Sequence, residues 1–381
     1  MPDPPQADLV LPRGASVAGD AALPRVLLLG PARTAVSGVS THLNQLFDSP
    51  LAQHFRLSQF QVGSEGRSEG RAAFLLRLIT SPCALLARLV RVRPRIVHIN
   101  TSFEPKGYWR DLVYLGVAKL LRLKVVYQIH GGALPAQFFG KSPLLTRLLR
   151  RVLAWPDAVV LLSAAELAAF REFAPAARLR RIANAVPIGE VDLSPARYAV
   201  QRPLAVTYLG RLAVEKGIFE TIEAVRLLLE RGIEVHLRIA GSGAALEQIR
   251  RAIAEAGVGE RVVLVGALFG AAKEQLWRGS EVLAFPSYRE GLPYALLEAM
   301  SWGAVPVVTP VGAIAEVVQD QVHGLIVPPR NPAAVADALQ MLSEDRALLH
   351  RLALAARERV ASQFSVTRLV AEFNDLYRSL A

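Results

Sequence analysis

Glu290 and Glu298 stand eight positions apart in the segment Glu290-Gly291-Leu292-Pro293-Tyr294-Ala295-Leu296-Leu297-Glu298. Two carboxylates in so short a stretch could serve general acid–base or nucleophilic chemistry. The preceding run Val282-Leu283-Ala284-Phe285-Pro286-Ser287 reads as a buried strand. Tyr294 to Trp302 reads as a helix with apolar Ala295, Leu296, Ala299 and Met300. Glu290 is thereby placed at the carboxyl end of a strand, where open α/β sheets bind ligands.

A second segment carries cations. The apolar run Leu204 to Gly210 leads into Arg211-Leu212-Ala213-Val214-Glu215-Lys216-Gly217 and then a helical pattern. Arg211 can offer a planar fork to phosphate oxygens and Lys216 a point charge, beside the amides and dipole of a helix N-terminus. Earlier in the chain, Gly30-Pro31 closes the first apolar run and Thr34 to Ser40 leads into the helical pattern His42 to Phe47; Gly38 there lets the backbone approach a phosphate. His130-Gly131-Gly132 ends the run Lys124 to His130 and faces the same cleft if the two halves are ordered alike. The chain holds no Asp-x-Asp metal motif, and Cys83 is its only cysteine, which leaves no intramolecular disulfide or cysteine-rich metal site.

The elements that position these residues form two series. Arg25 to Gly30, Ile96 to Asn100, Lys124 to His130 and Ala158 to Ser163 are Val/Leu/Ile-rich runs separated by helix-length segments. Leu204 to Gly210, Ile233 to Ala240, Arg261 to Gly266, Val282 to Phe285, Ala304 to Thr309 and Gly324 to Val327 repeat the pattern, with helical segments such as Glu220 to Arg231 between most of them. Runs of this kind are buried parallel strands. The fold expected is α/β, with two doubly wound Rossmann-like domains facing across a cleft. Residues 25–185 form the first domain, 186–203 a proline-bearing linker and 204–362 the second domain. Residues 363–381, with the periodic segment Val366 to Leu380, form a terminal helix crossing back to the first domain.

Composition sets the outer limits. Of 381 residues, 52 % are apolar and 20 % charged, which is globular, and two domains suit the length. No uninterrupted apolar run reaches bilayer length, so no membrane crossing is expected. Residues 1–24 lack a basic start and an apolar core, and read as a disordered leader rather than an export signal. With one cysteine, the chain fits a reducing, cytoplasmic setting. Net charge is +11, but its distribution says more: residues 1–185 hold 24 Lys+Arg against 11 Asp+Glu, a balance of +13, and the remainder 20 against 22, a balance of −2. One half therefore suits an anionic surface or ligand.

Together these motifs resemble the retaining glycosyltransferases of the GT-B fold, family 4, also called glycosyl transferases group 1. The resemblance covers nearly everything after the leader and is strongest from Gly210 to Pro329. Its most specific element is E-x7-E, matched by Glu290 and Glu298; Gly210-Arg211-Leu212, Lys216-Gly217, the Gly241 turn, Asn184, Ser163, and Gly312 with Glu316 support it. The resemblance implies a nucleotide-diphosphate sugar as donor substrate and no cofactor or metal. Arg211 and Lys216 would bind the diphosphate, Glu298 the ribose hydroxyls and Glu290 the hydroxyls of the transferred sugar. The amides of Gly291, Leu292 and the neighbours of Pro293 would line the sugar-phosphate pocket. His130 would position the sugar and assist the transition state, and His98 is expected to be structural. The base, uracil or guanine, is left open.

In such a fold the basic first half is the acceptor half. Lys141 to Trp155 projects Arg147, Arg150 and Arg151 on one helical face and Leu145, Leu148, Leu149 and Val152 on the other; Pro82 to Arg93 carries Arg88 and Arg91 among Leu85, Leu86, Leu89 and Val90. Basic amphipathic helices of this kind lie on anionic membranes. Tyr108 and Trp109 are candidates for stacking on an acceptor sugar. The expectation is a peripheral enzyme on the cytoplasmic membrane face, glycosylating a lipid-linked saccharide in polysaccharide or glycolipid assembly. A soluble transferase with a small-molecule or protein acceptor and a noncatalytic nucleotide-sugar-binding protein are the alternatives. No nucleic-acid reading module accompanies the basic stretches.

Overall fold

The computed structural model describes residues 23–35, 37–64, 70–140, 142–199 and 203–381. In the first domain the strands are β1 (Arg25–Gly30), β2 (Arg56–Gln61), β3 (Ile96–Phe103), β4 (Lys124–Gly132), β5 (Ala158–Leu161) and β6 (Leu179–Arg181). Its helices are α1 (Gly38–Phe47), α2 (Leu51–His54), α3 (Arg71–Val92), α4 (Pro105–Leu120), α5 (Pro143–Leu153) and α6 (Ala164–Phe173). All pairings are parallel, in the order β2-β1-β3-β4-β5-β6. The central strands are buried on both faces, as their unbroken Val, Leu and Ile content requires.

A short helix, α7 (Pro195–Ala199), precedes the second domain. There β7 (Leu204–Leu209), β8 (Val235–Ala240), β9 (Val262–Gly266), β10 (Val282–Phe285), β11 (Val305–Val308) and β12 (Leu325–Ile326) pair in parallel as β12-β11-β10-β7-β8-β9. The flanking helices are α8 (Ile218–Glu230), α9 (Leu246–Glu255), α10 (Gly270–Arg278), α11 (Tyr294–Ser301), α12 (Ile314–Val317), α13 (Pro332–Glu344) and α14 (Arg346–Gln363). In each sheet the chain order reverses beside the first strand, between β1 and β3 and between β7 and β10. These are the crevices where doubly wound sheets take ligands.

The last helix, α15 (Val366–Leu380), returns to the first domain. Its Leu369, Phe373, Leu376 and Tyr377 pack with Val26, Leu28, Ile96 and Val126 on one face of the first sheet. The chain crosses between domains twice, side by side: Val186 N–H donates to Phe364 O at 2.9 Å and Val366 N–H to Val186 O at 3.3 Å. Residues 186–199 are more than a tether, because Tyr198 of α7 is buried in the second core, stacks on His350 and donates to Gly303 O.

Several features depart from the sequence reading. Strands β2 and β6 were not anticipated; both lie at sheet edges, where Arg56, Ser58, Gln59 and Arg180 interrupt any apolar run. Helix α3 begins at Arg71 rather than Pro82 and keeps Pro82 inside it; over Ala72–Val92 it has the length and average composition of a bilayer span, although Arg77, Arg88 and Arg91 interrupt the apolar run. The leader assigned to residues 1–24 falls almost wholly outside the described residues.

Candidate active site

The loops that follow β7 and β10 are locked together. Tyr288 N–H and Ser287 Oγ–H both donate to Glu215 O, at 2.9 and 3.2 Å. That register sets Lys216 against Glu290, with Nζ donating to Oε1 at 2.6 Å; the side chains are 15 % and 8 % exposed. Glu290 leads into α11, whose Pro293 N-cap offers no side-chain acceptor, so the first-turn amides have no cap. Behind the turn, Ala313 N–H donates to Gly291 O at 2.9 Å, and Gly312, at φ +58°, leaves no room for a Cβ against Glu290 O. A cation, a carboxylate and free helix amides thus meet in one switch-point crevice, a setting for an anion carrying hydroxyl groups nearby.

One helix length away, Glu298 accepts from Lys273 Nζ at 2.7 Å and Trp277 Nε1–H at 3.3 Å, both from α10. Its carboxylate is held as an acceptor, with one oxygen on each donor. Arg211 lies at the rim, 67 % exposed, and reaches Glu215 at 3.4 Å. A surface pair of that geometry contributes less than about 1 kcal/mol, so a phosphate can take the guanidinium at little cost.

The first domain closes directly over this crevice. A Cβ added at Gly131 would lie 3.2 Å from Gly291 Cα, so only glycine lets these backbones touch. Gly38 at the start of α1 faces Tyr294, and His42 Nδ1 lies 3.2 Å from Tyr294 Oη. Asn184 Nδ2 donates to Leu292 O at 2.7 Å. Farther out, the Glu316 carboxylate accepts from Ala164 N–H and Ala165 N–H, each at 2.8 Å, so a side chain of the second domain caps α6 of the first.

His130 is the end of a row of buried imidazoles. The His42 and His130 ring centroids are 4.8 Å apart, those of His42 and His98 6.4 Å, and His98 Nδ1 lies 2.6 Å from Tyr377 Oη of α15. Asn100 donates through Nδ2 to Leu29 O, so its Oδ1 accepts from His130 Nε2–H at 2.9 Å. His130 is thereby a neutral Nε2–H tautomer with the Nδ1 lone pair unclaimed by the protein. Burial lowers His42 and His98 from 6.5 to about 3, with His42 adding to the effect at His98. Burial, then the two neighbouring imidazoles, drives His130 well below its ordinary value. Burial raises the Tyr294 hydroxyl, and Glu298 adds to it, so it stays protonated.

The structure therefore sets Lys216, on the loop after β7, against the turn Glu290, Gly291, Leu292 and Pro293 after β10, sets Gly38, His130 and Gly131 on the facing domain, and places Arg211 at the rim and Glu298 farther along α11. Tyr108 is a correction: it is 1 % exposed, packed among Phe103, Phe138 and Phe139, and presents no face to a sugar. Trp109, its neighbour on α4, is 44 % exposed. Arg147, Arg150 and Arg151 are exposed on α5 while Leu149 and Val152 are buried; Leu148, from the apolar face, is partly exposed, and Arg150 stacks over Phe173. On α3 Arg91 is exposed and Arg88 half-buried, but Leu86 and Val90 are exposed too rather than packed inward. Sequence reasoning missed Lys273, His42 and Tyr294. Lys273 sits alone on α10 without a motif, and the His42–Tyr294 contact joins residues 252 positions apart.

Comparison with known proteins identifies the family and the fold. A model of glycosyl transferases group 1 matches residues 195–359, and one of the glycosyl transferase 4-like domain matches residues 29–185. The chain is 29 % identical over 184 residues to alpha-D-kanosaminyltransferase of Streptomyces kanamyceticus, covering 48 % of each chain. It is 29 % identical over 312 residues to a GDP-mannose:cellobiosyl-diphosphopolyprenol alpha-mannosyltransferase of Xanthomonas campestris, covering 79 % of this chain and 77 % of that one. The chain spans about half the length of the first curated relatives it matches. Among solved structures, sucrose-phosphate synthase of Thermosynechococcus elongatus superposes with a TM-score of 0.75 at 20 % identity, covering 94 % and 99 % of the two chains. HepE of Anabaena in complex with UDP-glucose gives 0.73 at 19 %, covering 93 % and 99 %.

Proposed function

The chain belongs to the glycosyl transferases group 1 family, and from that premise we propose that it transfers a sugar, with retention and without a metal, from a nucleotide-diphosphate sugar to a lipid-linked saccharide. The observation that carries the reading is the Lys216–Glu290 pair at the uncapped start of α11, closed over by Gly131 and His130. Lys216, Arg211 and the α11 amides receive the diphosphate, Glu298 the ribose, and Glu290 the hydroxyls of the sugar.

In the reaction, the bond from the anomeric carbon to the β-phosphate oxygen breaks and a bond to the acceptor oxygen forms on the same face. The departing phosphate oxygen takes the acceptor's proton. Negative charge grows on the leaving diphosphate, and fixed cations and amides stabilise it without reorganising. Glu290, already neutralised by Lys216, orients the sugar and is not a nucleophile. His130, held neutral by its Nε2–H bond to Asn100, acts as a positioning group beside the sugar; its Nδ1 is buried.

The acceptor reading draws on the +13 balance of residues 1–185 and on the diphosphopolyprenol in the name of the mannosyltransferase relative. It places the enzyme at the cytoplasmic membrane face. The test is purified protein with a panel of UDP- and GDP-sugars and a lipid extract, in the presence and absence of EDTA. The expected result is donor-specific release of nucleoside diphosphate, a labelled product that partitions into organic solvent, and no loss with chelator. Product only with water-soluble acceptors would overturn the acceptor, and loss with EDTA the metal independence.

A further inference from the structure

Helix α3 buries little of itself. Of its described side chains only Leu85 and Leu89 are buried, against the first core, while Leu75 is 58 % exposed, Leu76 63 %, Ile79 75 %, Leu86 41 % and Val90 58 %. Apolar surface on this scale, concentrated on one helix, marks an interaction site. We propose that α3 is an in-plane membrane anchor, its apolar side chains entering the hydrocarbon edge of an anionic bilayer. The inference rests on the reading of a membrane-borne acceptor and adds to it how the enzyme reaches that surface: by insertion, where charge alone would give a salt-labile contact.

The occupant follows from charge. No Asp or Glu lies between Gly70 and Phe103, a stretch that carries Arg71, Arg77, Arg88, Arg91, Arg93 and Arg95. Two copies of α3 packed together would set arginines against arginines with no carboxylate between them, whereas anionic headgroups complement them. The helix lies along the surface and does not cross it. Its second half is fixed to α4 through Leu85, Leu89 and the Ser81–Tyr114 hydroxyl pair at 2.9 Å, and Arg25 holds its last carbonyl, Val92 O, at 2.8 Å. Strands β2 and β3, before and after it, belong to one sheet, so both ends stay on one side of the bilayer. A helix with an apolar face, basic flanks and both ends tied to a globular domain is an interfacial helix. Exposed Leu120 of α4 and Trp155 beyond α5 line a shallow surface hollow on the same domain.

Flotation of the full chain with vesicles of phosphatidylglycerol and phosphatidylcholine, at low and high salt, tests the assignment. Wild type is expected to float with the mixed vesicles and to keep a bound fraction at high salt. The Leu76→Asp/Ile79→Asp variant should lose binding at least about tenfold at both salts. Thermal shifts with UDP and GDP, whose site lies in the cleft, should match between the two proteins, which shows the variant folded and keeps this test separate from the donor chemistry. Absence of flotation, flotation unaffected by the double substitution, or binding abolished entirely by salt would each overturn the insertion. A dimer that the same substitution dissociates, without vesicle binding, would replace lipid with a second copy of the chain.

Discussion

Lys216 Nζ stands 2.6 Å from Glu290 Oε1, although the two residues lie 74 positions apart and on loops after different strands. Strands β7 and β10 are neighbours at the point where sheet order reverses, so the loops beyond them have to converge. The ion pair is the local result, and with both side chains mostly buried each depends on the other. Removing one partner leaves an uncompensated charge, a loss of about 3–5 kcal/mol where burial is complete and less here.

Glu290→Gln keeps the shape and the sugar contact but removes the charge facing Lys216. The expected outcome is a kcat reduced about 10²-fold, with donor affinity changed far less, because the lost interaction matters most as charge develops. Steady-state kinetics with saturating donor would check it; a change in KM alone would show Glu290 to be a uniform binding group.

Glu298 is held by Lys273 and Trp277, and this pairing orients both oxygens for a diol. Glu298→Gln should weaken UDP or GDP by roughly tenfold, about 1.4 kcal/mol, and should weaken the 2′-deoxynucleotide much less. Equal losses for the two nucleotides, measured by calorimetry, would move Glu298 away from the ribose.

Stability should fall in mild acid. His42 and His98 titrate near 3 when folded and near 6.5 when unfolded, so below about 6.5 the unfolded chain takes up protons that the folded one refuses. Each histidine then costs about 1.4 kcal/mol per pH unit until the folded value is reached, and the loss is absent above neutrality. Urea denaturation between pH 7 and 5 would show the slope, and His98→Gln should make it shallower.

Glu316 caps α6 from the other domain, so Glu316→Ala should act on closure before it acts on chemistry. Loss of a cap of this kind costs about 0.5–2 kcal/mol. Small-angle scattering is expected to show a larger radius of gyration for the variant, with donor restoring part of the compaction; an unchanged radius would make the contact incidental to closure.

Much of this was legible in the sequence. Runs such as Val282 to Phe285 and Leu204 to Leu209 announce buried parallel strands because both faces need apolar side chains, and Glu290, Lys216 and Gly291 follow from their position at strand ends. What was hidden depends on distance or on exposure. Lys273 reaches Glu298 from a helix without a motif, and His42 meets Tyr294 across the boundary between the two domains. Tyr108 and Trp109 look alike in sequence, yet helix phase buries one and exposes the other. Helix α3 shows the same limit: the basic amphipathic pattern was visible only from Pro82 on, and the exposed Leu76 and Ile79 lie on the preceding turns that the sequence did not single out.

The central claim is that Lys216, beside Glu290 and the open start of α11, holds a nucleoside diphosphate. Calorimetric titration of UDP, GDP and the corresponding nucleosides into wild type and folded Lys216→Ala tests it directly. The account predicts that one diphosphate binds wild type and is weakened at least about tenfold in the variant, while the nucleoside is unaffected. Equal diphosphate affinity in the two proteins would contradict it.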